Sequence, residues 1–172
     1  IREGAVLVSG KRVAAVGRWR DLSSQSCKQT LDLGEAVLMP GLVNAHAHAP
    51  MVLLRGIADD LDLDDWLKRF IFPAEAKNVN EAFVRAGARL AVLEMMLGGI
   101  TTYADMYYFE DSVARATAEA GMRGVLGQSV LKFPAPDAAS FEESLDAARA
   151  FLQTWQGHPL IVPSVAPHAP FT

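Results

Sequence analysis

The sequence predicts an α/β protein in which a short all-β segment precedes repeated strand–helix units that build a parallel sheet. Two observations carry this. The first forty residues hold only apolar runs of strand length separated by turn signals, and from Leu42 onward such runs alternate with stretches of helical periodicity. Alternation of that kind marks βαβ units, because two parallel strands need a crossover and a helix supplies it. Of the 172 residues, 51% are hydrophobic and 21% charged, which is enough apolar material for a substantial core.

The elements follow in order. Residues 4–8 and 12–16 flank Ser9-Gly10-Lys11 and read as a hairpin with glycine in the turn. A polar loop is expected over 20–29, then two further short strands over 30–34 and 36–39, until Pro40-Gly41 breaks the pattern. Residues 1–39 are therefore expected to form a small β unit and residues 40–172 the strand–helix part.

The first strand of that part is expected at 42–45 and its helix at 80–97. Asn80 is the N-cap and Glu81 lies in the first turn; Phe83, Ala86, Leu90, Leu93 and Leu97 share the apolar face, and Gly98-Gly99 stops the helix. A second strand over 100–105 leads to a helix over 111–120 ended by Gly121. A third strand over 124–130 leads to a helix opened by the capping box of Ser140 and Glu143 and closed by Gly157. The fourth strand, 160–166, contains Pro163, which removes a ladder donor and counts against a central position.

Several function classes are excluded by composition. A formal net charge of -4, with scattered lysines and arginines, provides no footprint for nucleic acid. No apolar run reaches the roughly 18 residues needed to span a bilayer and no signal peptide is visible, so a cytoplasmic protein without a membrane partner is expected. Cys27 is the single cysteine and its polar, Ser-rich surroundings suit a loop thiol. Ile1 in place of a start methionine, and Thr172 directly after Pro-His-Ala-Pro, suggest an internal piece of a longer protein.

The candidate chemistry centres on His46 and His48, at the end of the first parallel strand. Alternate strand residues face the same side, which would put both rings in one pocket with backbones about 6 to 7 Å apart. Neutral imidazole suits zinc, and also iron, nickel or copper. Against this stands a chance pair held by hydrogen bonds, although only four histidines occur in the chain. His168, between Pro167 and Pro170, serves equally as a structural loop residue or a site residue at the fourth strand end. His158 lies at the opposite end of the units and is expected to be solvated.

Residues 49–79 are too long for an ordinary βα loop, and long insertions on that face carry function. The acidic run from Asp59 to Asp65 lacks the spacing of a calcium loop and reads as a solvated face. Trp66, Leu67 and Phe70 form one helix face for which core packing is the default and ring stacking the alternative. No Gly-rich phosphate fingerprint follows the first strand, which favours a (β/α)8 barrel over a nucleotide-binding doubly wound sheet.

Pro40-Gly41-Leu42-Val43-Asn44-Ala45-His46-Ala47-His48 resembles the first-strand signature of the amidohydrolase superfamily. Ala49-Pro50-Met51, Arg55-Gly56, Trp66-Leu67, the segment from Ile71 to Lys77, Thr101-Thr102, Asp105-Met106-Tyr107 and Pro167-His168-Ala169-Pro170 look more specifically like the 5-methylthioadenosine/S-adenosylhomocysteine deaminases. The resemblance implies the first half of a metal-dependent (β/α)8 barrel preceded by strands of a small β-sandwich, with residues 49–79 as a substrate lid. It implies hydrolytic deamination of an adenine nucleoside with one divalent transition metal, zinc before iron, and it leaves open a homo-oligomer of the full-length protein. By analogy His46 and His48 bind the metal, Glu75 accepts hydrogen bonds from ribose hydroxyls, His168 contacts the purine and Trp66 walls the pocket. Asp105 is assigned only a strand-end hydrogen bond.

No catalytic residue is assigned within the chain. The family's third metal histidine, its proton-transfer glutamate and its metal aspartate are expected beyond Thr172, so the fragment alone is expected to be inactive. Some relatives hold the amino-acid carboxylate of S-adenosylhomocysteine with arginines, but between Arg123 and Arg149 there is only Lys132, which favours methylthioadenosine or a simpler nucleoside such as adenosine. The alternatives are a guanine or pterin deaminase, a triazine hydrolase, or a non-catalytic scaffold on the same fold.

Overall fold

A computed structural model describes residues 1–169 and divides the chain into two compact units, Ile1–Met39 and Pro40–Thr172. Pro170, which frames His168 in the sequence, lies outside the described residues.

In the first unit β1 (Gly4–Ser9) pairs antiparallel with β2 (Arg12–Arg18), and Gly10 at φ 60° makes the turn. A single helical turn, α1 (Trp19–Leu22), follows where a loop was expected, and the Trp19 N–H donates to the Glu3 carbonyl at 2.7 Å. The two strands expected over 30–34 and 36–39 are absent. Asp32 Oδ1 accepts from the Gly34 N–H at 2.8 Å and Gly34 adopts φ 62°, so an Asx turn bends the chain where extension was expected. Leu31, Val37 and Leu38 stay exposed, with no neighbouring strand to bury their alternating faces.

The second unit is a four-stranded parallel sheet in the order β3 (Leu42–Ala47), β4 (Ile100–Tyr107), β5 (Arg123–Val130), β6 (Ile161–Pro167). Between β3 and β4 the insertion forms a 3-10 segment over Ala49–Leu54 and a continuous helical stretch: α2 (Leu63–Trp66), a π-helical turn (Leu67–Ile71) and α3 (Phe72–Asn78). The crossovers are then α4 (Glu81–Leu97), α5 (Glu110–Glu119) and α6 (Phe141–Trp155). Pro163 lies within β6 all the same, opposite Leu126 of β5.

The caps sit where the polar residues predict. Asn80 accepts from the Phe83 N–H at 3.0 Å, and Ser140 Oγ from the Glu143 N–H at 3.2 Å. Glu143 reaches back to the Ala139 N–H at 2.7 Å, one residue earlier than a standard capping box.

The buried face of α4 is not the expected one. Leu90, Leu93 and Leu97 are exposed, while Val84, Gly87, Ala88, Ala91, Val92 and Met95 are buried. Small residues win this face because the insertion lies against it: a Cβ on Gly87 would come within 2.5 Å of the Pro50 carbonyl oxygen. The core is completed by Tyr103, Leu126 and Ile161 of the sheet with Val113, Phe151 and Trp155 of the helices.

Candidate active site

The histidine pair lies at the carboxyl end of β3, but not on a regular strand. Asn44 pairs with Tyr103 and Ala47 with Asp105, so three steps along β3 match two along β4. Ala45 and His46 therefore lie in a bulge, the device that re-aims side chains beside many active sites. The His46 N–H donates to Asn44 Oδ1 at 3.2 Å, so Asn44 supplies it with an acceptor. The two rings lie 5.0 Å apart, at 81° to one another.

His48 is held by β4. Its Nδ1 lies 2.7 Å from the Met106 carbonyl oxygen, and because a carbonyl only accepts, Nδ1 carries the proton. The lone pair is then on Nε2, the arrangement in which a second partner orients a metal-binding imidazole. One residue on, the Ala49 N–H donates to Asp105 Oδ1 at 2.8 Å, so the end of β4 grips the chain at His48 and again at Ala49. Both imidazoles suit a divalent transition metal in donor type, and His48 also in tautomer. Among the described residues no third histidine, cysteine or carboxylate joins them in a metal-ligand group.

Trp66 is half-buried and lines an open groove of about 400 Å³ together with His48, Met51, Val52 and Ile71. Glu75 follows nine residues later in the same helical stretch and is buried. On an uninterrupted α-helix two such residues point roughly 180° apart, whereas the extra residue of a π turn leaves them roughly 80° apart. Glu75 Oε1 accepts from the Tyr107 hydroxyl at 2.8 Å, and among the described residues no donor reaches Oε2. Burial pushes the Glu75 carboxyl above its ordinary range, opposed by the Tyr107 bond.

Behind these groups lies a buried acidic cluster that the sequence conceals. Burial pushes the Asp105 carboxyl up to about 7, against the pull of the Ala49 and Met106 N–H groups. Glu110, in the first turn of α5, is fully buried, and neither carboxyl oxygen has a partner among the described residues. Burial, then the charges of Asp105 and Asp137, drive its affinity for a proton far above the usual carboxylate range. Asp137 Oδ2 accepts from Gln128 Nε2 and from the Phe109 N–H, both at 2.8 Å, and Phe109 itself sits in the left-handed region at φ 51°.

His168 stands just past β6, exposed, with its N–H donating to the Val130 carbonyl at 3.3 Å. It lies at the same end of the sheet as the histidine pair, with β4 and β5 between β3 and β6. The acidic run is a solvated face: Asp64 and Asp65 form exposed i,i+4 ion pairs with Lys68 and Arg69. His158 differs from expectation. It is half-buried, edge-on to Trp155 at 5.0 Å, and its Nδ1 accepts from the Leu160 N–H.

A parallel strand–helix sheet with a histidine pair at the carboxyl end of its first strand defines an α/β protein whose candidate site lies at the strand ends. Residues 37–172 match the amidohydrolase family, and the chain belongs to it.

The chain is 44% identical over its whole length to 5-methylthioadenosine/S-adenosylhomocysteine deaminase 1 of Syntrophus aciditrophicus, and it spans 39% of that protein. It is 42% identical over 97% of its length to the 5'-deoxyadenosine deaminase of Methanothrix thermoacetophila, spanning 38% of it. A zinc-bound adenosine deaminase from Xanthomonas campestris superimposes with a TM-score of 0.95 at 40% identity, over 99% of this chain and 39% of that one. Escherichia coli guanine deaminase, at 22% identity and a TM-score of 0.84, shares the fold. The sheet is thus a partial (β/α)8 barrel, and the chain spans about two fifths of the relatives it matches.

Proposed function

We propose that the full-length protein is a metal-dependent aminohydrolase that converts an adenine nucleoside carrying a 5' thioether, with methylthioadenosine as the first candidate, into its inosine analogue and ammonia. The observation that carries this is Glu75, a buried carboxylate with one oxygen engaged by Tyr107 and the other without a partner among the described residues. An acceptor of this kind suits the hydroxyls of a ribose.

His46 and His48 would hold the metal, zinc in the first instance as in the Xanthomonas campestris relative. When bound, such a cation supplies Lewis-acid chemistry and makes water nucleophilic at neutral pH. The chain's own residues then bind and orient. Met106 fixes the His48 tautomer, Asp105 holds the backbone beside it, Glu75 takes the ribose, Trp66 walls the groove and His168 meets the purine. Two nitrogens leave a four-coordinate cation incomplete, so the activity is assigned to the full-length protein and none to this chain alone.

The test is ammonia release by the full-length protein, prepared without chelator, from methylthioadenosine, S-adenosylhomocysteine, adenosine and guanine. Turnover of a nucleoside with stoichiometric metal is expected. Turnover of guanine without turnover of any nucleoside would favour a base deaminase, and a metal-free, inactive protein would favour a scaffold.

A further inference from the structure

Tyr107 belongs to β4 and Glu75 to the insertion, so their bond at 2.8 Å fastens the insertion to the strand end. Both side chains are buried, and the neighbouring Met106 carbonyl is the group that orients His48. We propose that Tyr107 is a positioning residue for substrate selection: by donating to Glu75 Oε1 it fixes the carboxylate so that Oε2 is presented to the vicinal hydroxyls of a ribose. This rests on the ribose-binding role proposed for Glu75.

The chemistry supports a directional task. A carboxylate is acceptor-only with two equivalent oxygens, and a phenol O–H can satisfy one of them without displacing a ligand from the other. The same bond opposes the tendency of burial to protonate Glu75. Tyr103 supplies the contrast. It lies two pleats earlier on the same buried face of β4, but its hydroxyl meets Thr117 Oγ1 at 2.6 Å, a closed pair inside the core.

The experiment compares kcat/KM of the full-length enzyme for methylthioadenosine and for its 2',3'-dideoxy analogue, in wild type, Y107F, E75Q and Y103F. The wild type is expected to prefer the ribonucleoside, and E75Q to erase that preference. Y107F should cut the preference about tenfold, the scale of one charge-assisted hydrogen bond, through KM more than kcat. Its acid limb in kcat/KM should also move to higher pH with the ribonucleoside and not with the analogue, because Glu75 has lost the donor that favours ionisation. Y103F should destabilise the fold and leave the preference intact.

If Y107F folds poorly, E75D keeps the charge but withdraws it from the Tyr107 hydroxyl and should lose the preference in the same way. The proposal is overturned if Y107F, or E75D in its place, slows both substrates equally or leaves the preference unchanged while E75Q erases it. If the wild type shows no preference, or E75Q leaves it intact, the ribose-binding role of Glu75 has failed instead.

Discussion

Replacing Gly87 by alanine sets two effects of known sign against each other. Alanine is the better helix former, so on propensity alone G87A should gain about 1 kcal/mol in the middle of α4. The new Cβ, however, would lie 2.5 Å from the Pro50 carbonyl oxygen and 2.8 Å from its Cα, both backbone atoms. Ordinary contact begins near 3.4 Å, so the Ala49–Leu54 segment must retreat by roughly 0.9 Å at Pro50 or α4 must tilt away.

Overpacking of a fixed backbone costs about 3 kcal/mol, at the upper end of its usual range, which leaves a net loss near 2 kcal/mol. At roughly 2–4 °C per kcal/mol for a chain of this size, the melting temperature should fall by roughly 4–8 °C. Because Pro50 lies two residues beyond His48, the proposed metal ligand, metal affinity of the full-length protein should fall in the same variant. Thermal unfolding by circular dichroism and a zinc titration measure both. A G87A protein that melts at or above the wild type would refute the close approach of α4 to Pro50, leaving only the helix-propensity gain.

Two further outcomes test the buried polar groups and the caps. Burial raises the proton affinity of Glu110 in the folded state above that of the unfolded chain, which titrates at about 4.3, so its contribution to stability is full below the unfolded value and is lost as pH rises toward the folded one. E110Q, which needs no proton, should therefore gain on the wild type between pH 5 and pH 8 in urea midpoint; an equal difference at both pH values would contradict a protonated Glu110. S140A removes the acceptor for the Glu143 N–H and should cost about 1 kcal/mol, with S140D recovering most of it; an unchanged urea midpoint would show that the cap is not used.

Much of the strand–helix frame was legible because its signals are local. Asn80, Ser140, Gly121 and Gly157 mark helix ends through their own side chains or backbone freedom, and the parallel sheet follows from the alternation they punctuate. What escaped depends on partners far along the chain. The buried face of α4 was misassigned because large leucines outscore Gly87, Ala88 and Ala91 in any hydrophobic count, while the close approach of Pro50 selects for small residues. The runs over 30–34 and 36–39 have strand composition, but the Asx turn at Asp32-Gly34 interrupts them.

The candidate site divides in the same way. The histidine pair and Glu75 stand out by residue type, or once a family is named. Glu110 looks like any solvated first-turn acid, and only its burial distinguishes it. Tyr107 did leave a trace: Tyr103, Asp105 and Tyr107 repeat with period two, and in the structure all three share the buried face of β4.

The bulge in β3 matters to anyone who would move this histidine pair elsewhere. A His-x-His segment copied onto a regular strand would keep the sequence spacing but lose the extra step between Asn44 and Ala47 that sets the two rings at 81°. It would also leave behind the side chain that accepts the His46 N–H. A transplant that works must carry Asn44 with the histidines and must supply a neighbouring carbonyl, as Met106 does here, to hold Nδ1 of the second ring. The portable unit is therefore five consecutive residues and one atom of the adjacent strand.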